Sequence, residues 1–142
     1  MRFTIDIDIP PERLRESALR MAARGMHMCG RSTHLHKALT EELRISSFNG
    51  FGSLVEPEVA ARNLGGRCRL TGNVDPMLLL SGSTAEVTAA SRRCLEAMAP
   101  YGGYTLGDGA NICPGTSLEN INAMVEAASG YGVPPARTKA GR

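Results

Sequence analysis

The sequence predicts an α/β fold in which parallel strands alternate with helices. Short apolar segments recur along the 142 residues, and the segments between them carry apolar side chains at helical spacing. The connections between successive strands are long enough to join them in parallel. This order is typical of half a (β/α) barrel or of a small doubly wound sheet. A closed eight-stranded barrel takes about 250 residues, so one chain of this length cannot make one alone.

The first half of the chain contains the first three of five predicted strands. Phe3 to Ile9 alternates apolar and polar residues and is the first, ended by two prolines. Helical spacing follows over Glu12 to Ala23. Gly25 to Gly30 is the second strand, and a capped helix is predicted from Thr33 to Leu43. The third strand is Ile45 to Phe48, followed by a glycine-rich loop.

The second half continues the alternation. A helix begins at Pro57 and ends at Leu64 before two glycines, and Arg67 to Thr71 is the fourth strand. A short apolar turn from Pro76 to Leu80 precedes the next helix. The remaining elements are a helix from a Ser83 or Thr84 cap to about Met98, a strand from Gly102 to Leu106, and a helix from the Ser117 cap to about Ser129.

Composition favours a single domain over residues 1–131 with a flexible basic end over residues 132–142. The net charge of +2 gives no nucleic-acid footprint, and no run of eighteen apolar residues predicts a membrane span. The expected location is therefore the cytoplasm. In that reducing compartment the four cysteines are packing residues, nucleophiles or metal ligands rather than disulfides.

The carboxyl ends of parallel strands are where a ligand site is expected in either architecture. Residues with useful chemistry gather after successive strands: His27, Cys29, Arg31, Asn49, Phe51, Asn73, Asp75, Asp108, Asn111 and Cys113. This convergence predicts a functional site at that end of the sheet.

His27 and Cys29 lie two residues apart in a strand, so their side chains point to the same side. An imidazole and a thiolate on one face can share a metal ion, for which zinc is the usual choice. The alternative is a buried histidine beside a packing cysteine.

Several other residues have packing interpretations. His34 and His36 are expected at the surface or in a cap, and Cys68 and Cys94 in the core. Asn73 and Asp75 could close an Asx turn before a proline or serve the site.

The chain resembles the C-terminal half of the uroporphyrinogen decarboxylase superfamily, which includes cobamide-dependent methyltransferases. The resemblance covers about Gly25 to Gly132. Its motifs are His27-Met28-Cys29-Gly30, Leu64-Gly65-Gly66, Gly72-Asn73-Val74-Asp75-Pro76, and Ile112-Cys113-Pro114-Gly115-Thr116 leading to Leu118-Glu119-Asn120. It implies about half of a (β/α)8 barrel of the TIM type.

The resemblance also implies a chemistry. In the methyltransferase branch the His-x-Cys-Gly residues are zinc ligands, so His27 and Cys29 are expected to bind zinc. Ala110 holds the place of that branch's third ligand, a cysteine, and Cys113 or Asp108 could replace it. Zinc would hold an acceptor thiol as the thiolate that attacks the methyl group of a corrinoid. Tetrahydrofolate is another conceivable acceptor.

Further roles follow from the same resemblance. Asp75 and Asp108 are expected to be catalytic, and Arg31, Asn73 and Asn111 to bind substrate. Arg31 could hold a sulfonate or carboxylate, or lie as a solvated cap.

The alternatives are tetrapyrrole decarboxylation, as in the other branch of the superfamily, and a non-catalytic fragment or half-barrel subunit. The expected partners are a corrinoid or corrinoid protein, a small methyl acceptor, and either a chain that supplies the N-terminal half-barrel or a second copy.

Overall fold

The computed structural model describes residues 24–132, together with Glu12 and Glu16. The predicted strand from Phe3 to Ile9 and residues 133–142 of the predicted basic end lie outside the described residues. Of the predicted helix from Glu12 to Ala23, only the two isolated glutamates are described, and both are helical.

The described strands form one parallel sheet in the order β1-β2-β3-β4, so each strand pairs with the next one along the chain. Their bounds are Gly25–His27 for β1, Ser47–Asn49 for β2, Arg69–Val74 for β3 and Tyr104–Asp108 for β4. The predicted α/β class with parallel strands is confirmed.

Helices connect these strands. Within residues 24–132 four are α-helices, α1 Pro57–Leu64, α2 Pro76–Ser81, α3 Thr84–Met98 and α4 Leu118–Tyr131, and a short 3-10 helix, Ala99–Tyr101, precedes β4. Ser83 and Glu86 form the capping box that begins α3, and the hydroxyl of Ser117 accepts the N–H of Asn120 at the start of α4. Within residues 24–132, no helix is long and apolar enough to cross a membrane.

Two predicted elements differ from the structure. Thr33 to Leu43 was expected as an α-helix, but it contains a 3-10 turn, Thr33–Leu35, and a π-helical turn, Ala38–Glu42. The wide turn closes through the bond from Leu43 N–H to the Ala38 carbonyl. The fourth strand was expected to end at Thr71, yet it continues to Val74, because Gly72 to Val74 pair with Leu106 to Asp108.

The two faces of the sheet differ in polarity. One row of paired residues crosses all four strands and packs against the hydrophobic core: Met26, Phe48, Leu70 and Tyr104. The next row points to the opposite face and is polar and mostly exposed: His27, Asn49, Thr71 and Thr105. The first row lies against the layer that contains α3, since Phe48 and Leu70 belong to the same hydrophobic core as Val87, Cys94 and Met98 of that helix. The polar row therefore faces away from that layer.

Candidate functional site

His27 and Cys29 meet at the carboxyl end of the sheet. His27 is the last residue of β1 and Cys29 follows two residues later, and both are exposed. The Nε2 atom of His27 lies 3.4 Å from Sγ of Cys29. The side chains therefore share one side of the chain, as the alternation predicted.

Gly50 provides the surface on which the His27 ring rests. A Cβ atom at Gly50 would lie 2.7 Å from Cε1 and 3.0 Å from Nδ1 of His27. The same point lies 3.5 Å from the carbonyl oxygen of Ala110. Gly50 has a φ of +56°, so both its conformation and the lack of space favour glycine. The imidazole thus packs on the loop after β2, and the loop after β4 approaches the same glycine.

Asp108 shapes the loop that carries Ala110. Its Oδ1 atom accepts the N–H of Ala110 at 3.0 Å, which closes a turn at the end of β4. Gly109 donates its N–H to the carbonyl of Val74 and accepts the N–H of Gly52. These bonds join the loop after β4 to the end of β3 and to the loop after β2. The resemblance expects the third metal ligand at this position.

The other predicted metal ligand lies farther along the same loop. Cys113 is half-buried, and its carbonyl accepts both the N–H and the hydroxyl of Thr116. Among the described residues, no group of three or more His, Cys, Asp or Glu is arranged to hold a metal ion. The structure therefore brings two of the predicted ligands together, and Cys113 as the third remains a prediction.

The predicted substrate-binding and catalytic residues differ in their surroundings. Arg31 and Asn111 are exposed. Asp75 is also exposed, and its Oδ1 atom accepts the N–H of Met77 at 2.9 Å, so it caps α2. Its predicted catalytic role stays a prediction, as does that of Asp108.

Asn73 is buried and used within the fold. Its Nδ2 atom donates to the carbonyls of Gly52 at 3.0 Å and Val55 at 2.6 Å, and its Oδ1 atom accepts the thiol of Cys94. Through these hydrogen bonds Asn73 fixes the loop after β2, which gives it a structural role. They give no support to its predicted role in substrate binding, which stays untested.

His36 is the C-cap residue of the 3-10 turn Thr33–Leu35, so the cap alternative is confirmed, but the residue is buried rather than at the surface. It is 2% exposed, and its ring lies between Ser32 and Asn63. Burial lowers the pKa of His36, with a smaller contribution from His34. Ser32 was expected only as part of a helix cap, and its contact with His36 was not predicted, although a spacing of four residues signals a contact in a helical segment.

The core assignments of two cysteines are confirmed. Cys68 and Cys94 are buried, and burial raises the pKa of the Cys68 thiol to about 11. Both thiols are therefore poor nucleophiles and poor metal ligands at neutral pH.

The contact between His27 and Cys29 suits part of a zinc site. Imidazole nitrogen and thiolate sulfur are usual zinc ligands, and a catalytic zinc keeps three protein ligands with one open position. Ala110, which stands where the resemblance expects the third ligand, has no side-chain donor. His27 and Cys29 therefore fit two of the three protein ligands of a catalytic zinc ion. The third ligand would have to come from another residue.

Comparison with known proteins gives the family. The family model for uroporphyrinogen decarboxylase (URO-D) matches residues 13–131. A uroporphyrinogen decarboxylase of Coxiella burnetii is 36% identical over 77 residues, which are 52% of this chain and 20% of that protein. The methylcobamide:CoM methyltransferase MtaA of Methanosarcina barkeri is 32% identical over 111 residues, 75% of this chain and 30% of that one.

A solved methyltransferase from Methanosarcina mazei shares the fold, with a TM-score of 0.67 and 26% identity over 84% of this chain. The chain spans 35% of that structure and only a fifth to a third of the two relatives. The parallel sheet is accordingly part of a TIM-type barrel, and the chain belongs to the uroporphyrinogen decarboxylase (URO-D) family.

Proposed function

We propose that this chain is part of a zinc-dependent methyltransferase that takes a methyl group from a corrinoid. The observation that carries the proposal is the 3.4 Å contact between His27 Nε2 and Cys29 Sγ, exposed at the carboxyl end of the sheet. The similarity to a methylcobamide:CoM methyltransferase over 75% of the chain supports it.

His27 and Cys29 would hold the metal, with Cys113 or Asp108 as the third protein ligand after a shift of the loop. Zinc, when bound, keeps an acceptor thiol in its thiolate form at neutral pH. Arg31 lies two residues after Cys29 and is exposed, so its guanidinium can bind a sulfonate or carboxylate of the acceptor. Asn111, exposed in the loop after β4, can add a hydrogen bond.

Two features of the setting belong to the same proposal. The chain matches at most about a third of its relatives, so we propose that activity needs the rest of the barrel. The corrinoid or its carrier protein would approach the same end of the barrel. Four free cysteines support a reducing, cytoplasmic location.

Tetrapyrrole decarboxylation is the second candidate. It is favoured by the decarboxylases that match this chain, such as the Coxiella burnetii protein at 36% identity. The two candidates differ in whether His27 and Cys29 bind metal, because the resemblance assigns these ligands to the methyltransferase branch.

Zinc content is therefore the deciding measurement. We expect about one zinc per purified chain by elemental analysis, and we expect the His27→Ala and Cys29→Ala variants to lose it. His34→Ala is the matched control, because His34 is exposed outside the site. A folded wild-type chain without zinc, or equal zinc in all variants, would rule out this metal site.

Ala110 allows a sharper test of the same site. The resemblance puts the third ligand at position 110, and the Ala110 carbonyl and the His27 ring both approach Gly50, so a cysteine at position 110 would supply the sulfur donor that the pair lacks. We expect Ala110→Cys to bind zinc more tightly by about tenfold or more, and Ala110→Ser, of similar size, to match the wild type. If Ala110→Cys and Ala110→Ser bound zinc with equal affinity, position 110 would not be the place of the third ligand.

Cys113→Ser shows whether Cys113 is a ligand. If it is, the substitution weakens zinc binding in a chain that keeps Ala110, and it has a smaller effect when combined with Ala110→Cys. Unchanged zinc affinity in Cys113→Ser would leave Asp108 as the remaining candidate in this loop.

A further inference from the structure

A buried chain of hydrogen bonds lies under the loop that carries Cys29. The Ser32 hydroxyl donates to the carbonyl of Phe51 at 2.9 Å, and its oxygen lies 3.1 Å from Nε2 of His36. The hydroxyl proton is used by Phe51, so Ser32 must accept the second bond from His36. This arrangement puts the imidazole proton on Nε2.

The second nitrogen of His36 is also used. Its Nδ1 atom lies 3.2 Å from Nδ2 of Asn63 in α1, and it accepts that N–H. The ring packs edge-on against Phe48, with the ring centroids 6.5 Å apart. His36 is thus held in one orientation by a helix, by β2 and by Ser32.

The bond from Ser32 to Phe51 joins two loops of the site. Ser32 follows β1 three residues after Cys29, and Phe51 follows β2 immediately after Gly50. The same loops touch at Gly30 and Gly52, where a Cβ atom on Gly52 would lie 1.7 Å from the Gly30 carbonyl oxygen. The backbone on the carboxyl side of Cys29 is therefore held by a hydrogen bond at Ser32 and by close packing at Gly30.

We propose that Ser32 and His36 are positioning residues that hold the Cys29 thiol against His27. Ser32 ties the loop after β1 to the loop after β2, and His36 orients the Ser32 hydroxyl through its Nε2 proton. A shift of the loop by even about half an ångström would spoil the geometry of a shared metal ion. The effect on metal affinity rests on the proposed function, whereas the effect on the Cys29 thiol does not.

The test compares four variants of the full chain with the wild type. Ser32→Ala removes the tie, His36→Phe removes the orienting group but keeps an aromatic ring, and His36→Gln restores a donor for Ser32. The matched control is Ser46→Ala. The Ser46 hydroxyl joins the same two strands at their opposite end, where it bonds the N–H and carbonyl of Arg24.

Two properties are measured besides thermal stability. One is the affinity for Co²⁺, with the thiolate-to-cobalt absorption band as the signature of the Cys29 bond. The other is the rate at which Cys29 of the metal-free chain reacts with a maleimide, resolved from Cys113 by peptide mapping. Cys68 and Cys94 are buried and serve as internal references.

We expect Ser32→Ala and His36→Phe to weaken Co²⁺ binding by about tenfold and to change the Cys29 rate severalfold. His36→Gln should recover most of both properties, while Ser46→Ala should lower stability and leave both unchanged. Equal effects of Ser32→Ala and Ser46→Ala, or a wild-type Cys29 rate in Ser32→Ala, would overturn the positioning role. If the wild type binds no Co²⁺, the zinc proposal fails, and the thiol rates still decide the role of Ser32 and His36.

Discussion

His27 owes its place to a glycine. Gly50 lies against the imidazole, and a Cβ atom there would be 2.7 Å from Cε1 and 3.0 Å from Nδ1 of the ring. Any side chain at position 50 would therefore collide with the ring or displace it.

His36 makes the stability of the chain depend on pH. Burial lowers its pKa in the folded state below the ordinary value of 6.5, so the folded chain holds the neutral ring and the unfolded chain binds the proton more readily. The stabilisation is complete above pH 6.5 and is lost as the pH falls toward the folded-state value. We expect the free energy of unfolding, measured with urea, to decrease over this window.

His36→Phe should lose this part of the pH dependence. The difference in unfolding free energy between the wild type and His36→Phe should shrink as the pH falls below 6.5. His34→Gln, which changes an exposed histidine, should keep most of the dependence. A difference between wild type and His36→Phe that is constant from about pH 5 to 8 would mean that His36 does not titrate differently in the two states.

At the scale of elements, Arg93 joins α3 to the start of α1. Its Nε and Nη2 atoms donate to the two carboxylate oxygens of Glu58 at 2.9 and 2.8 Å, and Nη2 also donates to Glu56. Arg93 correspondingly lowers the pKa of Glu58. The side chains are about half exposed, so solvent screens the attraction.

Arg93→Ala should therefore cost at most about 1 kcal/mol of unfolding free energy at low salt. We expect the cost to fall as sodium chloride is added, because exposed ion pairs are screened. Urea denaturation measures both, since urea adds no charge. Arg92→Ala, a neighbouring exposed arginine, should have a smaller effect. A loss that is independent of salt would assign the contribution of Arg93 to packing rather than to charge.

Element boundaries could be predicted where local chemistry decides them. The bounds of α1 match the prediction, because a proline begins the helix and two glycines follow it. The end of β3 did not match. Gly72 and Asn73 have the composition of a turn, but pairing with β4 keeps them in the strand. Pairing with β4 overrides the turn preference of these two residues, and the local sequence does not indicate this pairing.

The same limit applies to the site. The approach of His27 and Cys29 follows from two-residue spacing and could be predicted. The contact of the His27 ring with Gly50 joins residues from two strand ends, and the Ala110 carbonyl from a third approaches the same glycine. Asn73 was assigned to the site from its position in the chain, yet its amide turned out to bond to buried carbonyls. Only the packing in the folded chain shows which of these residues belong to the site and which serve the fold.

At the scale of the whole molecule, one face of the described sheet is polar and mostly exposed. The row of His27, Asn49, Thr71 and Thr105 is mostly exposed, although parallel strands are normally buried on both faces. Among the described residues, β4 also has a neighbouring strand on one side only. Both features are expected of a barrel part whose other strands come from elsewhere, which agrees with the limited share of the relatives that the chain spans.

We therefore expect the chain to bind the complementary part of a related barrel. The probe is the portion of the Methanosarcina barkeri methyltransferase that this chain does not match, co-expressed with the chain. Closure would cover the polar face and pair the outer edge of β4, so the two should elute together at one-to-one stoichiometry. The complex should also unfold at a higher temperature than the chain alone.

The matched portion of the same methyltransferase is the control, because it supplies strands that this chain already has. It should not bind. Two outcomes would contradict the expectation: the matched portion binds as well as the complementary portion, or the chain alone elutes as a stable dimer that binds neither portion. Either outcome would mean that two equivalent halves close the sheet. In that case a second copy of the chain, rather than a distinct partner, would complete the polar face around His27.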